Sequence, residues 1–526
     1  MDPTGVIELV LLLLVIATAL AFVARRIGVA YPIVLVLGGL VLGLVLAAMP
    51  NPPSVGLPPE VVFVLFLPPI LFAAGYFTPI RDFKANLRPI GLLAVGLVLF
   101  TTVVVGVVVH ALLPELGWAA AFAFGAIVAP PDAVAATAIF RRLGVAPRIV
   151  TILEGESLVN DATALIAYRL AIAAALTGSF SLVEGGLEFV LVAAGGIAIG
   201  VVVGRVLIAV WRRIADPTLE IVISLLVPFA AYLPAETLHV SGVLAVVTAG
   251  IVAGRHAARV LSPNGRLMGT GVWPVLIFFI NGFAFLLIGV QLPGILDALI
   301  AFAPGQLIGL GLAVSVTVIL ARIVWVYPAT YLPRWASAKL RARDPYPSAG
   351  SVFVISWAGM RGVVSLAAAL ALPTSIPERA LLIYLTLCVI LATLVGQGLT
   401  LPWIVRRLGV VSGSGLEVEA RIARQVAADA ARERLESLAT EYPDHLELVD
   451  SLRAELDHEA AHVESEDGGD LDAAVQERLE HQEIRLALVA AQREAVIRLR
   501  DDGSIGDDAL RIIERDLDLE AVRAGA

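Results

Sequence analysis

Leu153-Glu154-Gly155-Glu156-Ser157-Leu158-Val159-Asn160-Asp161-Ala162-Thr163 places three carboxylates in a segment otherwise apolar enough to cross a membrane. A carboxylate at bilayer depth costs about 2.5–3.5 kcal/mol on insertion scales, so such a residue persists by facing a partner, a cavity or an ion. On a helix Glu156 and Asn160 are i,i+4 neighbours, as are Ser157 and Asp161. That spacing predicts four oxygen-bearing side chains on one face. Oxygen ligands suit a hard monovalent cation such as sodium, and a carboxylate can exchange that cation for a proton. An ion or proton site is therefore the first functional expectation.

Outward from this stretch the chain stays apolar. Of its 526 residues 59% are hydrophobic, with a mean hydropathy of +0.89. That composition predicts an all-α polytopic membrane protein and excludes a large soluble core for most of the chain. Thirteen spans are expected, at 4–23, 30–49, 60–77, 88–112, 118–139, 150–176, 186–211, 217–235, 240–255, 273–291, 304–331, 350–372 and 379–405, each near the ~20 residues a bilayer requires. The loops test the count. After odd-numbered spans they carry Arg25/Arg26, Arg81/Lys84/Arg88, Arg141/Arg142/Arg148, Arg212/Arg213, Arg255/Arg259/Arg266, Arg334/Lys339/Arg341/Arg343 and Arg406/Arg407. After even-numbered spans they carry Arg379 alone. The positive-inside rule then predicts a multi-pass protein of the cell (plasma or inner) membrane, with the N-terminus outside and the C-terminus cytoplasmic. The N-terminus, with Asp2 and Glu8 and no basic region, does not read as a signal peptide.

Charge divides the chain in two. From Gly409 on there are 29 acidic and 13 basic residues, and before it 17 acidic and 24 basic. The expected domains are a membrane domain, 1–408, and an acidic helical cytoplasmic tail, 409–526. Tail helices are expected at 417–440, 444–463, 470–500 and 506–522, separated by Pro443, Gly468-Gly469 and Gly503. Nothing in the arginine distribution points to nucleic acid. No Walker, GxSxG or HExxH motif occurs, so no enzyme activity and no cofactor are expected. Cys388, the only cysteine, excludes an intrachain disulfide. His458 and His462 lack a third ligand, and Asp501–Gly506 lacks the acids of a calcium loop.

Two spans are interrupted. In the fifth, Pro130 and Pro131 precede Asp132 near mid-membrane, and proline breaks the helical ladder there. In the twelfth, Trp357-Ala358-Gly359-Met360-Arg361-Gly362, two glycines flank an arginine. Spans 5 and 12 hold corresponding places in two six-span halves, 1–6 and 8–13, that enter the membrane from opposite sides. Paired discontinuous helices in inverted halves mark the midplane site of a secondary transporter. Arg322, at a depth similar to that of Glu156, is expected to pair with it in bidentate, charge-assisted bonds, with Arg361 as the alternative. His110 and Arg205 are expected at the interfaces, Asn281 in an interhelical hydrogen bond, and Glu220 and Glu236 in structural roles. Arg169 has no evident partner.

Gly155–Asp161, Trp357–Gly362 and Leu238-His239-Val240-Ser241-Gly242-Val243-Leu244-Ala245-Val246-Val247-Thr248-Ala249-Gly250 together resemble the monovalent cation/proton antiporter superfamily, in its sodium/proton exchanger (NhaP/NHE-like) branch. The resemblance covers roughly residues 5–410. It implies an inverted-repeat antiporter fold with two crossed broken helices, a dimerisation bundle, an ion-binding core and a homodimer. It also implies that Asp161 is the exchanging carboxylate, binding the monovalent cation with support from Asp132, Ser157 and Asn160, while Glu156 and Arg322 form a buried structural pair. Many members carry Thr-Asp-Pro where this chain has Pro131-Asp132-Ala133. The expected function is exchange of Na+ or Li+ for H+ by alternating access in pH and sodium homeostasis. With Asn160 rather than a second aspartate beside Asp161, 1:1 electroneutral exchange is expected. Potassium/proton exchange on the same fold is the alternative, and a channel or a membrane sensor the reading from another class.

Overall fold

The structure is a computed structural model that describes residues 3–49, 62–179, 181–214, 216–411, 415–465, 471–502, 513 and 516–521. Among the described residues every extended element is helical, and β pairing is confined to one isolated bridge between Val145 and Val411. The chain divides into two compact units, residues 1–412 and 413–526.

Among the described residues of the first unit ten helices are long and apolar enough to cross a membrane, and two more apolar helices, Tyr31–Ala47 and Phe63–Phe77, are shorter. The expected span at 350–372 is a pair of half-helices. One group of helices packs together: α1 (Pro3–Ile27), α2 (Tyr31–Ala47) and α3 (Leu67–Phe77), joined later in the chain by four more. The link α4 (Ile80–Ala85) then leads into α5 (Leu87–Leu112), the broken pair α6 (Trp118–Val128) and α7 (Ala133–Leu143), and the long α8 (Pro147–Thr177). The chain returns to the first group as α9 (Leu182–Trp211), α10 (Pro217–Thr237), α11 (Gly242–Val260) and α12 (Pro263–Val290). After the short α13 (Leu292–Asp297) it goes back to the second group as α14 (Pro304–Ala336), α15 (Ala338–Arg343), the broken pair α16 (Ala349–Trp357) and α17 (Val363–Leu370), and α18 (Arg379–Leu408).

Apolar attraction alone does not hold helices together in lipid, so close backbone approach carries the packing. Gly196, Gly200 and Gly204, spaced by four on α9, pack on α11: a Cβ at the first two would run into the carbonyl oxygens of Ser241, the cap of α11, and Ala245, and at the third into the Val252 side chain. The second group is tied at its arginine-rich end by Asp344. This carboxylate accepts from Arg88 at 2.6 Å, Arg148 at 2.7 Å and Arg334 at 2.7 Å, from α5, α8 and α14 respectively. Partial burial works to raise the Asp344 pKa, but the ion pairs with Arg148 and Arg334 outweigh it and hold the carboxyl below its ordinary range.

Three one-turn π-helical segments had no signal in the apolar periodicity: Val62–Phe66, Leu92–Leu97 and Ala392–Gln397. The second and third interrupt α5 and α18. In the second, the Leu92 carbonyl accepts from Trp325 Nε1 at 2.9 Å.

The second unit contains α19 (Gly415–Glu441), α20 (Leu446–Ser465) and α21 (Leu471–Asp501). Leu435, Val449 and Val489 are buried there, and Arg453 donates to Glu436 across the α19–α20 turn. The helix expected at 506–522 lies mostly outside the described residues, as do the side chains of His458 and His462 and the Gly503–Gly506 segment.

Candidate functional site

The site forms where the two breaks meet. α6 ends at Val128, and Pro130 and Pro131 prevent its continuation. The chain restarts as a helix at Ala133, with Asp132 as its cap: Asp132 Oδ1 accepts from Val134 N at 2.8 Å. The other break runs from Ala358 to Gly362. The two breaks are joined by their main chains, Asp132 N donating to Met360 O at 2.7 Å.

Each break leaves carbonyls without intrahelical partners at mid-membrane, where no water can satisfy them. Two fully buried arginines do so. Arg361 donates through Nε to Val128 O at 3.0 Å, through Nη2 to Ala129 O at 3.4 Å and through Nη1 to Gly359 O. Its own amide donates to Thr393 Oγ1 at 3.0 Å, a hydroxyl presented by the π-helical segment of α18. Arg322 donates through Nε and Nη2 to Ile355 O, at 3.2 and 3.1 Å, near the end of α16. The same guanidinium forks onto Glu156, Nη1 to Oε1 at 2.5 Å and Nη2 to Oε2 at 2.8 Å. Gly359 has no side chain because both arginines pass it: a Cβ would strike Arg322 Cδ and Arg361 Nη1.

This geometry corrects the expectation of one shared face on α8. The four oxygen-bearing residues divide. Glu156 turns to Arg322 and away from open space. Asn160, fully buried, donates through Nδ2 to Pro131 O at 2.8 Å and leaves its Oδ1 without a partner. Ser157 and Asp161, about 100° further round the helix, line a cavity of about 560 Å³. Asp132 lines it too, as do Pro130, Pro131 and Gly362. A Cβ on Gly362 would meet the Asp132 carboxyl carbon at 2.7 Å, so glycine lets that carboxylate lie against the start of α17. The cavity extends along α7 to Arg141 and Glu154, which pair at 2.8 Å at the arginine-rich end. Among the described residues no cation pairs with Asp132 or Asp161.

Of two further polar residues of the cavity, Ser365 escaped the sequence reading and Asn281 was read only as an interhelical contact. Asn281 of α12 lines the cavity and reaches the Tyr31 hydroxyl of α2, the interhelical contact expected of it, and Ser365 of α17 lines the cavity with its hydroxyl unpartnered. Unpaired polar atoms are costly at this depth, and a polar group on a neighbouring helix facing the carboxylates was the available signal for both. Arg169 does have a partner: it donates through Nη2 to both oxygens of Glu236 on α10, at 2.9 and 2.7 Å.

Residues 10–407 match the family described as sodium/hydrogen exchanger, transmembrane. The chain belongs to that family. These antiporters include an uncharacterized Na+/H+ exchanger of Mycobacterium tuberculosis, 36% identical over 95% of this chain and 92% of the relative. A sodium, potassium, lithium and rubidium/H+ antiporter of Bacillus pumilus is 36% identical over 69% of this chain and 56% of the relative. The Na+/H+ antiporter ApNhaP of Aphanothece halophytica is 34% identical over 72% and 70%. The sodium/proton antiporter MjNhaP1 of Methanocaldococcus jannaschii shares the fold, with a TM-score of 0.63 over 78% of this chain and 99% of that one, at 21% identity. This antiporter is therefore a multi-pass transporter of the NhaP branch, and monovalent cation/proton exchange is its class of activity.

Proposed function

We infer that the protein exchanges sodium for protons at Asp161, with lithium as a second substrate cation. The observation that carries this is a buried carboxylate with no cationic partner, in the wall of a cavity shared with Asp132 at the crossing of two broken helices. Such a carboxylate is neutralised by a proton or by a cation, and one charge cannot hold both. Competition for Asp161 couples the two fluxes, and Asp132, Ser157 and the Asn160 carbonyl oxygen supply neighbouring oxygens. With Asn160 in place of a second aspartate, one titrating group exchanges per cycle, a 1:1 electroneutral stoichiometry.

The arginine-rich loops support a cytoplasmic position for the Arg141 end of the cavity, by the positive-inside rule. The cavity is then the inward-facing half of an alternating-access cycle, the N-terminus is outside, and the acidic 409–526 unit is cytoplasmic. The Arg169–Glu236 pair lies toward the opposite end of α8 and links it to α10. The protein works in the cell membrane in pH and sodium homeostasis, as a homodimer like that implied by the family resemblance.

The test is dequenching of a pH dye in everted vesicles, with sodium, lithium and potassium added separately. Dequenching by sodium and lithium supports this reading. Potassium as the preferred ion would replace it with potassium/proton exchange, a second reading favoured by the name of the Bacillus relative. A rate that follows an imposed membrane potential would overturn the electroneutral stoichiometry.

A further inference from the structure

A second cavity, of about 520 Å³, shares no lining residue with the one at Asp161. It lies between the link α4 and helices α9 and α11, at the arginine-rich end. Its wall carries Lys84, Arg205, Arg212 and Arg255, and no acidic residue. Among the described residues none of these four cations has an ion pair or a side-chain hydrogen bond, whereas the arginines at Asp344, Glu156 and Glu236 are all engaged. Like charges gathered at one cavity repel one another, and more strongly beside a low-dielectric wall than in water.

Arg205 sharpens the point. It stands six residues before the end of α9 at Trp211, roughly 9 Å along the axis, inside the apolar span Val183–Trp211. An arginine at that depth calls for an anion or a route to water. Snorkelling toward the surface brings its head to the other three cations of this cavity. Apart from His256, whose Nδ1 lies 2.8 Å from Val252 O, the rest of the wall is apolar, with Val201 and Ile251, and the adjoining face of α9 exposes Val202 and Val206. A cluster of unpaired cations at the membrane surface, above an apolar wall, has the chemistry of a phospholipid phosphate with its acyl chains below.

We propose that this cavity binds the headgroup of an anionic phospholipid, its phosphate held among Lys84, Arg205, Arg212 and Arg255 and an acyl chain lying along Val201 and Ile251. Bound there, the lipid braces α4, the first of the segments through which the chain passes from one helix group to the other.

The full-length protein is purified and reconstituted in nanodiscs of phosphatidylcholine alone, or with added phosphatidylglycerol (one phosphate) or diphosphatidylglycerol (two). Native mass spectrometry counts retained lipid, and thermal unfolding reports stabilisation. The wild type is expected to retain anionic lipid selectively and to unfold at a higher temperature with it, more so with two phosphates. Each charge removed should weaken retention about fivefold, so R205Q/R255Q should lose selectivity and R205K/R255K should keep it. Equal unfolding temperatures of wild type and R205Q/R255Q in phosphatidylcholine alone establish that the variant is folded. Wild type that shows no preference for anionic lipid overturns the proposal, a result that needs no variant. So does R205Q/R255Q that retains and is stabilised like wild type. Inorganic phosphate that stabilises as much as the lipid would make this a free-phosphate site and overturn the lipid assignment.

Discussion

Glu156 and Asp161 stand on one helix, less than two turns apart, and meet the membrane interior in opposite ways. Glu156 is fully buried and forked by Arg322, which also satisfies a carbonyl of a broken helix. Asp161 is nearly as buried, but it faces a cavity and another carboxylate. The difference teaches how to read an intramembrane acid. On the proposed reading, one with a fixed cation belongs to the scaffold, and one without it is left for an exchangeable cation or proton.

The largest test of this contrast is Asp161→Asn. The amide keeps volume and hydrogen bonding but cannot titrate, so coupled exchange in vesicles should fall to background while the protein stays folded in the membrane. Asp132→Asn should do the same. Wild-type exchange by Asp161→Asn would erase the contrast.

The complementary test is on the scaffold acid. Glu156→Gln or Arg322→Ala alone should lower stability by about 3–5 kcal/mol, because each leaves a buried charge uncompensated, while removing both charges should cost less than the sum. Thermal unfolding in detergent of both singles and the double measures this. Strictly additive losses would mean the two side chains do not interact.

A smaller effect sharpens the boundary between scaffold and site. Gly362→Ala pushes a methyl group toward the Asp132 carboxylate. Misplacing a reacting group in this way should slow exchange by about tenfold to a hundredfold, with the unfolding temperature little changed. A destabilised protein with normal exchange would assign Gly362 to packing.

The smallest effect lies outside the membrane. Asp344→Asn should cost about 1–2 kcal/mol at neutral pH. The folded Asp344 carboxyl is held below its ordinary value. Its stabilisation is therefore complete above the unfolded carboxylate pKa of about 3.9 and is lost as the pH falls through the lower folded value. The gap in unfolding temperature between wild type and variant should persist down to about pH 5 and narrow below about pH 4.

Much of the fold was legible because apolar length and arginine placement both follow from the bilayer. Pro130–Pro131 and Gly359/Gly362 announced the breaks because proline and glycine act locally on the backbone. Pairing was less legible. The reciprocity of Arg361 and Val128 O, or the pairing of Arg169 with Glu236, depends on which helices lie side by side. The shared face on α8 was misjudged because i,i+4 spacing joins Glu156 to Asn160 and Ser157 to Asp161, yet the two pairs remain about a quarter-turn apart. The π-helical segment that delivers Thr393 left no trace in composition, since one extra residue per turn changes hydrogen bonding without changing residue type.

The two half-helices α7 and α17 both begin at the cavity, one capped by Asp132 and the other starting at Gly362 beside that same carboxylate. Their first peptide groups put partial positive charge at the cavity. A lysine there would titrate and compete with the transported proton; a peptide dipole does neither, and no side-chain substitution removes it. On the proposed reading the exchanger therefore keeps a constant electrostatic background while Asp161 changes charge through the cycle. On that same reading, its response to pH is concentrated in Asp161, and its choice among cations is open to adjustment at the polar residues that share the cavity, Ser157, Asn281 and Ser365.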